Sequence, residues 1–390
     1  MKIAFVLGEE SADRIAADLA RALRAHVGED LQLVGLGGER MREEGLNSLF
    51  DIEELSIIGI GGILSRLPQL MRRLSQTAEA ILAANPDAVV TIDSFTFTNR
   101  VALRIRKARP DIPIVNIVPP AVWAYRPSRV EALTAAVDHA ICLFPFEPQV
   151  LAELGGPPAT YVGHPLMDEP RLTAIRQRLD AEGLRQPGRP PKLLILPGSR
   201  RGEIERLMDD FGRTFAFLKR RMPELTAILP AIPRVRGAIE AKLESWEHRP
   251  EIVSGEDATW QAFGEADAAL AASGTVALEL GLAGIPTVVA YRLDPVAYRL
   301  RHIITGWTAV LTNLIVDHPL VSEHFHDFVR ADLLGRRLER LLTDTPERRA
   351  QLTGFVELRR RMEVDQPPGD AAAQILLAEI EKRHGNEKGA

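Results

Sequence analysis

The chain has 390 residues, 46% of them hydrophobic, which is ample for the cores of two domains at roughly 100–200 residues each. A formal net charge of −5 leaves no general basic field to hold nucleic acid, so any anion site must be local. The single cysteine, Cys142, cannot close an internal disulfide, and no run of about 18 apolar residues exists to span a membrane.

The start, MKIAFVLGEESAD, reads as a strand, Ile3–Leu7, ending in a loop rather than as a signal peptide. A helix is predicted from about Ser11 to His26. Further strands follow at Leu31–Leu36, Ala88–Ile92, Ile114–Val118 and Ala140–Leu143, and Asn99–Ala108 and Pro127–Ala136 have helical spacing. Strands of near-continuous apolar character are buried on both faces, which marks a parallel sheet covered by helices. Tyr161–Pro165 reads as a strand running into a turn. Proline, glycine and charge then cluster over Glu169–Pro191, where the domain boundary is placed. A second α/β series predicts strands at Lys192–Leu196, Thr226–Leu229, Glu251–Val253, Ala268–Ala271 and Pro286–Ala290, and helical spacing returns at Gly369–Lys382. The expectation is α/β, with domains over 1–168 and 190–368 and a ligand cleft at the carboxyl ends of both sheets.

Two loops carry the chemistry. In LLILPGSRRGEI a strand runs into Pro197–Arg200 and a helix starts near Gly202. Gly198 permits close backbone approach, Ser199 can cap or donate, Arg200 offers a fork of donors, and the helix start presents free N–H groups. That set suits a diphosphate, and equally an ordinary strand–turn–helix with a capping serine. In AALAASGTVALELG the pattern repeats with Ser273, Gly274 and Thr275. Glu279 lies one turn beyond Thr275 on the same helix face, where a carboxylate can bridge ribose hydroxyls.

The order and separation of GEESAD (8–13), GLGGERMREEGL (35–46), LSIIGIGGILSRLPQL (55–70), TIDSFTFTNRVA (91–102), PPAVWAYRPSRV (119–130), LFPFEP (143–148), YVGHP (161–165), LPGSRRGEI, SGTVALE and NLI (313–315) resemble the lipid-A-disaccharide synthase family. The resemblance implies a GT-B fold, two Rossmann-like parallel-sheet domains facing across a cleft, with a final helix at about 369–384 packing back on the first domain. It implies UDP-2,3-diacylglucosamine as donor, held by the second domain through Gly198, Ser199, Arg200, Ser273, Gly274, Thr275, Glu279 and Asn313. The acceptor is 2,3-diacylglucosamine 1-phosphate, bordered by Glu9 and Ser11 of the first domain. Transfer inverts the anomeric centre, so a base is needed at the acceptor hydroxyl, and Asp93 at the end of AVVTID is placed there. Neither a cofactor nor a metal is implied, since no D-x-D-like pair or His/Asp cluster with ligand spacing is present. The chain departs from the family pattern at Ala12, Thr96, Ser322 and His326, mostly on the acceptor side. Ile57–Leu82, apolar with Arg66, Arg72 and Arg73, reads equally as a core-packing helix with a solvated basic face or as a helix that meets a membrane surface, acyl chains or the 1-phosphate, and the resemblance favours the lipid reading. The implied location is cytoplasmic and peripheral at the inner face of the membrane, compatible with a homodimer. Rival readings are a UDP-sugar 2-epimerase and a non-catalytic UDP-sugar-binding paralogue. A dehydrogenase is disfavoured because GEESAD lacks G-x-G-x-x-G.

Overall fold

The structure, a computed structural model, describes residues 1–9, 11–55, 60–124, 127–182, 189–294, 298–299 and 306–387; at 11, 60–67, 180–182 and 384–387 it describes the backbone alone. The chain divides into unit 1, Met1–Pro165 with Val364–Ala390, and unit 2, Leu166–Glu363.

Unit 1 is built on parallel strands β1 (Lys2–Leu7), β2 (Gln32–Leu36), β3 (Ala88–Ile92), β4 (Ile114–Ile117), β5 (His139–Cys142) and β6 (Ala159–Tyr161). Its helices are α1 (Ser11–Val27), α2 (Glu39–Glu43), α3 (Ile60–Ala84), α4 (Phe95–Ala108), α5 (Arg129–Thr134) and α6 (Glu147–Glu153). The period-2 alternation of a strand divides its side chains between two cores. Ile3, Phe5 and Leu7 pack with α1, while Ala4 and Val6 pack with Leu74, Ala78 and Ile81 of α3 and Val101 and Ile105 of α4. The strand order is β2-β1-β3-β4-β5-β6. After β2 the chain therefore crosses to the far side of β1, and the loops leaving β1 and β3 part at a seam.

Unit 2 begins with α7 (Pro170–Glu182) and repeats the plan with β7 (Lys192–Leu196), α8 (Arg201–Arg221), β8 (Thr226–Pro230), α9 (Pro233–Leu243), β9 (Glu251–Val253), α10 (Glu256–Glu265), β10 (Ala268–Ala272), α11 (Val276–Ala283), β11 (Thr287–Tyr291), α12 (Leu311–Val316), β12 (Ser322–Phe325), α13 (Ala331–Leu342) and α14 (Pro346–Met362). The order β12-β11-β10-β7-β8-β9 puts the seam between β7 and β10, where Leu196 pairs with Ala271. The edge strand β12 is absent from the sequence reading. All four of its residues are half-buried and it pairs only with β11, so Ser-Glu-His-Phe carries no apolar run to betray it.

The chain then returns to unit 1. Helix α15 (Pro368–Glu387) packs on α1, with Ala372, Ala373, Leu376 and Ile380 sharing a core with Leu19 and Leu23. Arg383 closes onto Asp138 at 2.5 Å, whose other oxygen holds Arg106 at 2.5 Å.

Candidate active site

In open α/β sheets ligands bind outside the carboxyl ends of the strands, at the point where strand order reverses. In unit 2 that point lies between the loops after β7 and β10, the two singled out in the sequence. Gly198 has φ +110, and a side chain there would run into Glu203. Ser199 and Arg200 are exposed, with the Arg200 guanidinium no closer than 3.9 Å to Glu203. Their backbone groups are not available as the sequence reading has them. Glu203, 9% exposed, accepts from Ser199 N at 3.0 Å and Arg200 N at 3.2 Å. The donors left at this helix start are the N–H groups of Arg201 and Gly202, which have no carbonyl four residues back within the helix, and the Arg200 side chain. Arg234, at the start of α9, adds a second guanidinium by donating to Ser199 O at 3.2 Å.

Across the seam, Gly274 and Thr275 are exposed, and nothing lies within 4 Å of where a Gly274 side chain would stand. The Ser273 hydroxyl donates to Ala309 O at 3.3 Å, and Ala309 N donates to Glu323 at 3.1 Å. Asn313 is 1% exposed; its amide donates to Val321 O at 2.9 Å and accepts from Val321 N at 2.8 Å. It ties together the segment that ends on Ser273 and presents no free side chain. Glu279 is half-buried, and among the described residues no protein donor reaches its carboxylate. Burial raises its pKa, as burial also does for Glu323 against the bonds from Ala309 and Thr308. A desolvated carboxylate without a donor is one that a vicinal diol can satisfy.

The seam of unit 1 carries Asp93. Both Asp93 (φ 55) and Ser94 (φ 42) are left-handed, a conformation that costs an L-residue roughly 1–2 kcal/mol. Gly8 is required opposite them, since a side chain there would overlap Ser94. Asp93 N donates to Ile117 O at 3.1 Å, and the Thr98 hydroxyl donates to Asp93 O at 2.7 Å. One carboxylate oxygen accepts from Ser94 N at 2.5 Å; the other meets no protein donor among the described residues. Asp13, by contrast, is 4% exposed and accepts from Gly38 N and Arg40 N, both at 2.7 Å, so it caps α2. Glu9 is exposed, and the Ser11 side chain lies outside the described residues.

A family model described as lipid-A-disaccharide synthetase matches residues 3–368. The chain belongs to the lipid-A-disaccharide synthase family. Among its relatives, the lipid-A-disaccharide synthase of Nitrobacter winogradskyi is 43% identical over 382 residues, covering 96% of this chain and 95% of the relative. That of a Rhodopseudomonas palustris strain is 44% identical over 371 residues, covering 95% and 94%. Among solved structures, UDP-GlcNAc 2-epimerase from Neisseria meningitidis, bound to UDP-GlcNAc, matches with a TM-score of 0.60 at 15% identity over 98% of this chain and 100% of that one. MurG from Acinetobacter baumannii matches with a TM-score of 0.60 at 14% identity over 97% and 99%. These likenesses establish the fold, two Rossmann-like domains of GT-B type. The enzyme is a glycosyltransferase.

Other sequence expectations find their places in this enzyme. Ala12 is in the unit 1 core, and Thr96 is exposed in the first turn of α4. His326 (φ 45) accepts from Leu293 N at 3.0 Å and lies against Tyr298, so it shapes the loop after β11. In the Ile57–Leu82 segment, residues 57–59 and the side chains of 60–67, Arg66 among them, lie outside the described residues. Of the rest, Leu74, Ala78 and Ile81 are core, and Arg73 pairs with Glu54 at 2.6 Å over the Phe50 ring. Met71, 40% exposed, and Arg72 face outward. Among the described residues no helix is long and apolar enough to cross a membrane, and no three His, Cys, Asp or Glu side chains group as metal ligands. Glu203 and Arg234 were missed in the sequence. Glu203 reads as an ordinary first-turn acid, and the signal for Arg234 is its place just past a strand end.

Proposed function

We propose that the enzyme condenses UDP-2,3-diacylglucosamine with 2,3-diacylglucosamine 1-phosphate, giving the β-1,6-linked disaccharide 1-phosphate and UDP. The observation that carries the donor side is the pairing of two short Gly-hydroxyl loops at adjacent strand ends on the unit 2 seam, in a chain of this family. The diphosphate is held by Arg200 and the first-turn N–H groups of α8, with Arg234 beside them, and the ribose hydroxyls satisfy Glu279. Asn313 acts by fixing the segment that positions Ser273.

On the acceptor side, the free carboxylate oxygen of Asp93 takes the proton of the acceptor hydroxyl as its oxygen bonds to the anomeric carbon. The bond from that carbon to the β-phosphate oxygen breaks, and the charge left on UDP is met by Arg200 and the helix N-terminus. Removing the proton as the nucleophile attacks prevents a positive charge from building on the new glycosidic oxygen, and attack opposite the leaving group inverts the centre.

Incubation of the purified protein with both lipid sugars, followed by mass spectrometry, tests this reading. The expected result is a product joining both sugars, with UDP released only when the lipid acceptor is present. Formation of a 2-epimer without acceptor, or UDP binding with no transfer, overturns it. A peripheral seat on the membrane is supported by the outward Met71 and Arg72 of α3. It predicts co-sedimentation with anionic vesicles that weakens with salt; absence of binding at low salt removes it.

A further inference from the structure

The carboxyl edge of unit 1 holds more than Asp93. Along the order β3-β4-β5-β6, the segments leaving the last three strands bring Trp123, then Phe144 and Phe146, then His164 onto the same edge. The rings form a continuous run. Trp123 meets Phe146 edge-on at 5.5 Å, Phe146 stacks on Phe144 at 5.9 Å, and Phe144 stacks on His164 at 5.3 Å. Each of the four residues is half-buried, so the run is neither core nor free surface. At about 4.8 Å between neighbouring strands, the β5 rings stand roughly 10 Å from the β3 end that carries Asp93, within the span of an acylated sugar whose hydroxyl is at Asp93.

Under this run sits a carboxyl that the mechanism does not use. Glu147, the first residue of α6, is 5% exposed. Its Oε2 accepts from Phe144 N at 3.1 Å while its own N donates to Phe144 O at 3.2 Å. That reciprocal pair locks the turn bearing both phenylalanines. The Trp123 indole N–H lies beside the same carboxyl without reaching hydrogen-bond geometry. Burying a carboxyl is unfavourable unless it holds something.

We propose that Trp123, Phe144 and Phe146 form an apolar shelf that seats the acyl chains of the acceptor beyond Asp93, and that Glu147 is the positioning residue that keeps the shelf in place. The proposal rests on the acceptor reading given above and deepens it. Aromatic faces of this kind bury the first methylenes of an acyl chain at favourable cost per area. The edge also carries charge of the right sign for a phosphate: Arg14, at the start of α1, is close enough to His164 to help burial hold that ring neutral, with a pKa pushed down to about 4. A base, an apolar face and a cation on one sheet edge match the hydroxyl, acyl chains and phosphate of one ligand.

The test uses the full chain with Phe146→Ala, Glu147→Ala and Glu147→Gln, each checked for a wild-type circular dichroism spectrum. Phe146→Ala is expected to raise the KM for the diacylated acceptor by roughly 10-fold or more, with donor KM unchanged and kcat at saturating acceptor within about 2-fold. With deacylated glucosamine 1-phosphate as acceptor the same variant should show no change. Glu147→Ala should raise acceptor KM, and Glu147→Gln should restore it, because its amide oxygen still accepts from Phe144 N. An unchanged acceptor KM in Phe146→Ala and Glu147→Ala overturns the shelf, as does an equal rise with the deacylated acceptor. A parallel loss of anionic-vesicle binding, equal in size to the KM change, also overturns it, since the shelf is then a membrane contact. If Glu147→Ala does not fold, Phe146→Ala still decides. A wild-type protein that makes no disaccharide refutes the acceptor reading itself, whereas normal wild-type turnover with silent variants refutes only the shelf.

Discussion

The two seams solve one geometric problem with different residues. In unit 2 the tight conformation falls on Gly198 (φ 110), and the loop is held from inside by the Glu203 carboxylate. In unit 1 it falls on Asp93 and Ser94, where no glycine relieves it, and the concession is made opposite at Gly8. A glycine loop leaves room for a ligand to approach backbone; a strained aspartate fixes one carboxylate oxygen in place. Strain kept on a reactive side chain is a reason to look for function there, and the proposed function puts binding at the second seam and proton transfer at the first.

The strongest test of that division is Asp93→Asn, expected to lower kcat about 10²–10⁴-fold with UDP affinity unchanged; a matching loss of UDP affinity would merge the two roles. A pH test comes next and is confined to unit 1. Burial raises Glu147 from 4.5 to about 7, so between these values the folded state holds the extra proton and stability falls as pH rises. Burial and Arg14 lower His164 from 6.5 to about 4, so there the unfolded state holds the extra proton and stability rises with pH. The slopes oppose, each worth up to about 3 kcal/mol at 1.36 kcal/mol per unit. Relative to wild type, Glu147→Gln should gain stability progressively from about pH 4.5 to pH 7 in urea unfolding; a pH-independent difference refutes this. On the second seam, Arg200→Ala should reduce kcat/KM for the donor by about 10–150-fold, the worth of one charge-assisted bond of about 1.5–3 kcal/mol, without altering acceptor KM. Smallest is Glu203→Ala, which should lower stability by about 0.5–2 kcal/mol, the range of a lost helix cap, and raise donor KM through a loosened loop. Wild-type donor KM would show that the internal carboxylate does not shape the site.

Much of this was legible in the sequence because strands such as β3 and β10 are buried throughout and so read as unbroken apolar runs. The edge strand β12 was not, since half-exposed Ser-Glu-His-Phe obeys no burial pattern. At the sites, residue type revealed the loops but not the direction of their hydrogen bonds. Nothing in PGSRRGE tells that Glu203 turns back on the loop, and nothing in NLI tells that Asn313 faces Val321. The left-handed turn at Asp93 and Ser94 was hidden for the same reason, because local sequence marks such turns through glycine or asparagine and here the constraint comes from Gly8, far away in the chain.

The way α15 closes on α1 bears on how the molecule comes to exist. Unit 2 is one continuous stretch, but the hydrophobic face of Leu19 and Leu23 stays uncovered until residues beyond 364 have been synthesised. During translation the first sheet, whose strands all lie before residue 165, must therefore wait without this covering helix while the whole of unit 2 emerges. A ribosome stalled after 363 would leave that face bare, a state to be guarded by chaperones or cleared by proteases.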